Sequence, residues 1–212
     1  MSLYPLRIAI VSVLLSAGIA GAQQPTAQPA RPAIPRAAPS TRATTAVLID
    51  KRWLEGIWSD ESGVAGPAKI EIDWGQPHLR GRNVLGMPGV VPWDSVWRTG
   101  ANMATQLTTE VDLTLGNTFI PRGIYTLFTL PSRNGWKLIV SKQQLEWGTD
   151  YDPSQDFARI DLRSRALPEP LESLTFWLVP ALENRQSSAF PHGVLKFAWG
   201  STELSTDWRV GR

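Results

Sequence analysis

The run Trp97-Arg98-Thr99-Gly100-Ala101-Asn102 holds the densest set of groups suited to gripping a ligand. Arg98 brings five fixed N–H donors, Asn102 both donates and accepts, and Thr99 adds a hydroxyl. Gly100 and Ala101 put little bulk between Arg98 and Asn102, so both can face one space. Trp97 and nearby Trp93 offer stacking faces, and the combination suits a small polar molecule or a glycan. The same residues also suit a structural network, with Arg98 satisfied by Asp94 or Glu110 and Asn102 holding a turn. In an extended chain Asp94 and Arg98 share a face but lie roughly 13 Å apart, so they meet only if Pro92–Ser95 turns. Residue types alone leave pocket and network both open.

A second polar cluster is His78 followed by Arg80-Gly81-Arg82-Asn83. Two guanidiniums beside a glycine can clamp an anionic or polyhydroxylated ligand, or pair with surface acids. The sharpest expectation is that Arg98 and Asn102 share one pocket with Arg80 or Arg82, with Trp97, Thr99 and His78 belonging to the same ligand-binding set. Trp147-Gly148, beside Asp150 and Tyr151, can wall that pocket.

Much chemistry is missing. With no cysteine there is no disulfide frame, thiolate metal site or cysteine nucleophile. The two histidines, His78 and His192, fit no paired-His spacing, and Asp150-Tyr151-Asp152 makes a weak calcium loop at best. There is no phosphate loop, dinucleotide fingerprint or Gly-x-Ser-x-Gly elbow, so neither a metal nor a cofactor is expected. Asp73, Asp94, Glu110, Glu146 and Asp150 could serve as acid or base, but nothing in the sequence sets two of them face to face. The expected function is therefore small-ligand or glycan binding. A carboxylate- or His-based hydrolase or isomerase and a structural protein of the cell envelope are the alternatives.

The elements that must position these residues begin late. Arg7, the apolar run Ile8–Ala22 and the small-x-small site Ala20-Gly21-Ala22 read as a signal peptide over residues 1–22. That predicts a periplasmic or secreted protein with no stable membrane insertion after cleavage. Residues 23–46 hold five prolines, no acid and no aromatic, the composition of a disordered linker. Four of the 21 Lys+Arg residues (Arg7, Arg31, Arg36 and Arg42) lie before residue 47, whereas all 19 Asp+Glu follow it. The basic excess thus belongs to leader and linker, and no nucleic-acid partner is expected.

Residues 47–212 read as a single all-β domain. Val47–Trp58 is ambiguous, with Asp50 able to cap a short helix. Period-2 alternation marks strands at 70–74, 105–115 (one strand or two), 123–130, 136–141, 158–163, 174–179, 194–199 and 203–208. Gly116-Asn117, Asn134-Gly135 and Gly200-Ser201 read as turns. The segment 174–179 is apolar on both faces and reads as a central strand. Eight to ten antiparallel strands predict a β-sandwich or jelly roll, with Ile70, Ile72, Phe128, Leu138, Val140, Ile160, Leu162, Phe176, Leu178 and Phe197 in the core.

Four blocks occur in order: Pro77–Arg82, Val96–Thr105, Pro121–Pro131 and Glu146–Asp152. In them "VWRTGAN-x-AT" is followed by "P-x-G-x-Y-x-L-F-T-x-P". Together they resemble the bacterial family called domain of unknown function 2911, over roughly residues 68–210. The sequence departs from that pattern at Trp74-Gly75-Gln76 and in the loop Leu85–Val90. The resemblance implies an exported, mostly-β protein and carries no activity, cofactor or catalytic residue.

Overall fold

The computed structural model describes residues 40–49, 68–144, 147–181 and 191–211. The expected signal peptide, most of the expected linker, the segment 50–58 and Glu146 lie outside them. The fold is all-β and antiparallel: β1 (Thr41–Ile49), β2 (Ala68–Gln76), β3 (Thr105–Thr109), β4 (Leu113–Leu115), β5 (Thr118–Ile120), β6 (Gly123–Leu130), β7 (Trp136–Ser141), β8 (Asp156–Pro180) and β9 (His192–Val210). They line up as β1-β2-β3-β6-β7-β8-β9-β4-β5 in one nine-stranded sheet that is not closed into a barrel.

The sheet folds over itself because β8 is long enough to belong to both halves. Its first part pairs with β7 from Asp156 to Leu162, and the rest pairs with β9. Between Ala166 and Thr175 its register against β9 shifts twice. Pro168 and Pro170 lie in this stretch and have no N–H to donate, so the ladder breaks there and the strand bends. The far end of β8 then packs across β2. The Trp74 indole donates to the Leu174 carbonyl at 2.9 Å, and its ring sits 5.0 Å from that of Phe176.

All ten expected core residues are buried. Nine of them belong to the central core, together with Leu107, Leu127, Leu195 and Trp208. Phe128 is the tenth, and it lies on the other face of β6. There it meets Tyr151 edge-on at 4.9 Å.

Four readings need correction. The expected linker overlaps β1, which pairs with β2 along its whole length. Its inward residues Ala43 and Thr45 are too small or polar to advertise a strand, although Val47 and Ile49 continue the same face. The stretches 158–163 and 174–179 are one strand, and so are 194–199 and 203–208. Gly200, at φ 61, is a bend within β9 and not a hairpin turn. Finally, Trp177 and Val179 are 36% and 43% exposed, so that end of β8 buries only one face.

Candidate ligand site

The segment before β3 runs beside the end of β6. Trp97 and Thr129 exchange backbone hydrogen bonds at 2.8 Å in each direction, and the Asp94 N–H donates to the Pro131 carbonyl at 2.8 Å. Alternation then turns Trp97 toward the core and Arg98 toward the outer face. Trp97 is buried and stacks on Trp199 at 5.9 Å, and it lines a small apolar recess of about 20 Å³. The expected stacking role of Trp97 is therefore corrected: its ring is core, because strand parity points it inward.

Past Arg98 the chain turns sharply. Thr99 and Asn102 hold φ of 53° and 61°, left-handed values uncommon outside glycine. Asn tolerates this conformation; a β-branched Thr does so only when its surroundings fix it. Here they do. The fully buried Thr99 hydroxyl lies 3.1 Å from the Thr129 hydroxyl, and its carbonyl accepts from the Thr105 hydroxyl at 3.0 Å. Thr99 thus braces the turn from inside and does not face solvent, while Asn102 is exposed.

The turn is seated on β2 at Gly75, whose carbonyl accepts from the Ala101 N–H at 2.9 Å. A Cβ on Gly75 would lie 1.6 Å from the Ala101 oxygen, and one on Gly100 would lie 2.7 Å from the Thr105 hydroxyl. The small residues of the run serve this backbone-to-backbone contact. Gly75, in the block where the sequence departs from the family pattern, was missed as its partner; the isolated glycine in a strand was the available signal.

Arg98 is half-buried. Its stem lies under the loop that follows β7, where a Cβ on Gly148 would come within 2.8 Å of its Cδ. Its Nε makes one long contact, 3.4 Å, to the Gly100 carbonyl. Neither acid suggested by the sequence reaches it. The Glu110 carboxylate accepts from the Lys69 N–H at 2.8 Å. Pro92–Ser95 does turn, with Asp94 at φ 56, but no Asp94–Arg98 ion pair forms. Burial lowers the Arg98 pKa from its ordinary value.

The rim is partly apolar. Met103 bridges to Trp147, and both side chains are exposed, at 40% and 53%. The Arg42 guanidinium reaches the Met103 sulfur and pairs with Asp73 at 2.7 Å. The loop carrying Trp147-Gly148 is fixed by internal bonds. Gln143 donates to the Asp150 carbonyl and accepts from the Asp152 N–H. The Tyr151 hydroxyl donates to Asp156 at 2.7 Å and accepts from Arg159 at 2.9 Å. Burial, and then that carboxylate, push Tyr151 up to about 12.

The other expected residues belong to a separate turn at the end of β2. His78 Nδ1 lies 2.8 Å from the Ser173 hydroxyl. Arg82 donates back to the carbonyls of Leu79 and His78, both at 2.9 Å, so it braces its own turn. The Arg80 N–H bonds the Glu172 carboxylate at 2.9 Å. Arg98, Thr99 and Asn102 are gathered on Gly75 and Gly148; His78, Arg80 and Arg82 are anchored along β8 and on their own backbone.

Fold and site together define an antiparallel β-sandwich-like domain with a half-buried arginine and an exposed aromatic on the outer face of one half. Residues 59–207 match the family described as "protein of unknown function (DUF2911)", and the chain belongs to it. No curated protein and no solved structure matches the chain.

Proposed function

We propose that this protein is an exported, non-catalytic module that binds a small polar ligand through Arg98, with Asn102 and Trp147 at the rim. One observation carries the reading: the Arg98 guanidinium is half-buried and pairs with no carboxylate among the described residues. Withdrawing a cation from water is costly unless another group compensates, and an oxyanion presented to the fork supplies that compensation in bidentate geometry. The exposed Trp147 and Met103 suit an apolar portion of the same ligand. Rigid seating of the turn on Gly75 keeps the ordering cost of binding low. Export is supported by the leader-like sequence of residues 1–22.

The test is a thermal-shift and calorimetric screen of the chain from Gln23 onward against small carboxylates, phosphate esters and sugars. An anionic ligand should raise the melting temperature, and Arg98→Ala should abolish the rise. A ligand response that survives in Arg98→Ala, or no response to any anion, refutes this reading.

A further inference from the structure

A second recess lies on the same outer face, at the tip of the β6–β7 hairpin. Its volume is about 360 Å³, and Asp94, Leu130, Ser132, Asn134, Lys137 and Asp161 line it. That is within the range of small-molecule sites. We propose that it binds a neutral, polyhydroxylated ligand such as a sugar ring or an open polyol, independently of Arg98.

Register builds the floor. Leu130 faces Lys137, and Lys137 faces Asp161, so the three side chains form one row across β6, β7 and β8. Lys137 and Asp161 are joined by an exposed ion pair, which offsets the two charges. The ammonium still has hydrogens to give, and the carboxylate still has lone pairs to receive. The wall comes from the loop before β3. Asp94 sits at φ 56, fixed by its N–H bond to Pro131. Its carboxylate makes no hydrogen bond or ion pair with another described residue, although it lines the recess.

The charge pattern selects the ligand. One unpaired carboxylate beside a neutralised pair repels an oxyanion, so this recess does not duplicate the Arg98 site. No group of three metal-binding side chains occurs among the described residues, which disfavours a bare cation. A hydroxyl-rich molecule fits every group at once. Its hydroxyls donate to Asp94 and Asp161 and accept from Lys137 and Asn134, while a C–H face rests on Leu130.

The experiment is a titration of the isotope-labelled chain with glucose, maltose, cellobiose, N-acetylglucosamine and sorbitol, following the backbone amides of Leu130, Asn134, Gly135 and Lys137. At least one compound should give saturable shifts at these amides. Asp94→Gly, which keeps the left-handed backbone and removes the carboxylate, should weaken binding about tenfold or more, the loss of one charge-assisted hydrogen bond. Lys137→Met should weaken it too, and keeps the test decisive if Asp94→Gly does not fold. Arg98→Ala should leave it unchanged, which separates this proposal from the anion site. Shifts from none of the compounds, shifts undiminished in both variants, or a stronger response to calcium chloride than to any of them would overturn it.

Discussion

Gly75→Ala tests whether the Arg98–Asn102 turn owes its geometry to one backbone contact. Gly75 does not have a positive φ, so alanine suits its conformation. By unfolded-state entropy alone the change would stabilise by about 0.4–1 kcal/mol. The sterics oppose this. The new Cβ would sit 1.6 Å from the Ala101 oxygen, a backbone atom that cannot swing aside as a side chain does. Either β2 or the turn must move, at an overpacking cost of about 1–3 kcal/mol. The Ala101–Gly75 hydrogen bond breaks as well, which adds about 1 kcal/mol. The clash wins, with a net loss of about 1–3.5 kcal/mol. For a domain of this size that lowers the melting temperature by very roughly 2–14 °C. Thermal and urea unfolding read the stability, and the thermal-shift screen reads the site. Any anion response should vanish at temperatures where the variant is still folded, because Arg98 rides on the displaced turn. A Gly75→Ala protein as stable as the parent, with its anion response intact, would refute the reasoning.

Other outcomes follow from the same geometry. Arg98→Ala should change stability by less than about 1 kcal/mol in urea unfolding, because no buried carboxylate among the described residues is orphaned. Asn102→Gly should keep the turn, whereas Asn102→Val should cost about 1–2 kcal/mol for forcing a β-branched residue to φ 61. Tyr151, raised from 10.0 to about 12 in the folded state, holds its proton more tightly folded than unfolded. Its contribution is therefore complete below pH 10 and is lost as pH rises toward 12; Tyr151→Phe should flatten that part of the stability–pH curve, measured by urea unfolding.

How much of this was legible in the sequence varies by element. The bounds of β6 and β7, and the turn between β4 and β5, were written in local pattern, because alternation and Asn-Gly or Gly-Asn turns are short-range signals. The core residues followed from the same alternation. The sequence also pointed to the run 97–102 as special, through its mix of small and polar residues. It could not apportion that run. Trp97 in the core, Thr99 as a buried brace and Arg98 on the outer face follow from the pairing of residue 97 with residue 129, a long-range contact that leaves no local trace. The continuity of β8 through Pro168 and Pro170 was equally hidden, since proline reads locally as a stop and only the second half of the sheet shows where the strand goes. Whether Asp94 or Glu110 pairs with Arg98 was likewise tertiary. Neither reaches the guanidinium, because their positions are set by the Pro131 carbonyl and the Lys69 N–H. A side chain's chemistry is local, but its partners are fixed by backbone contacts between distant segments.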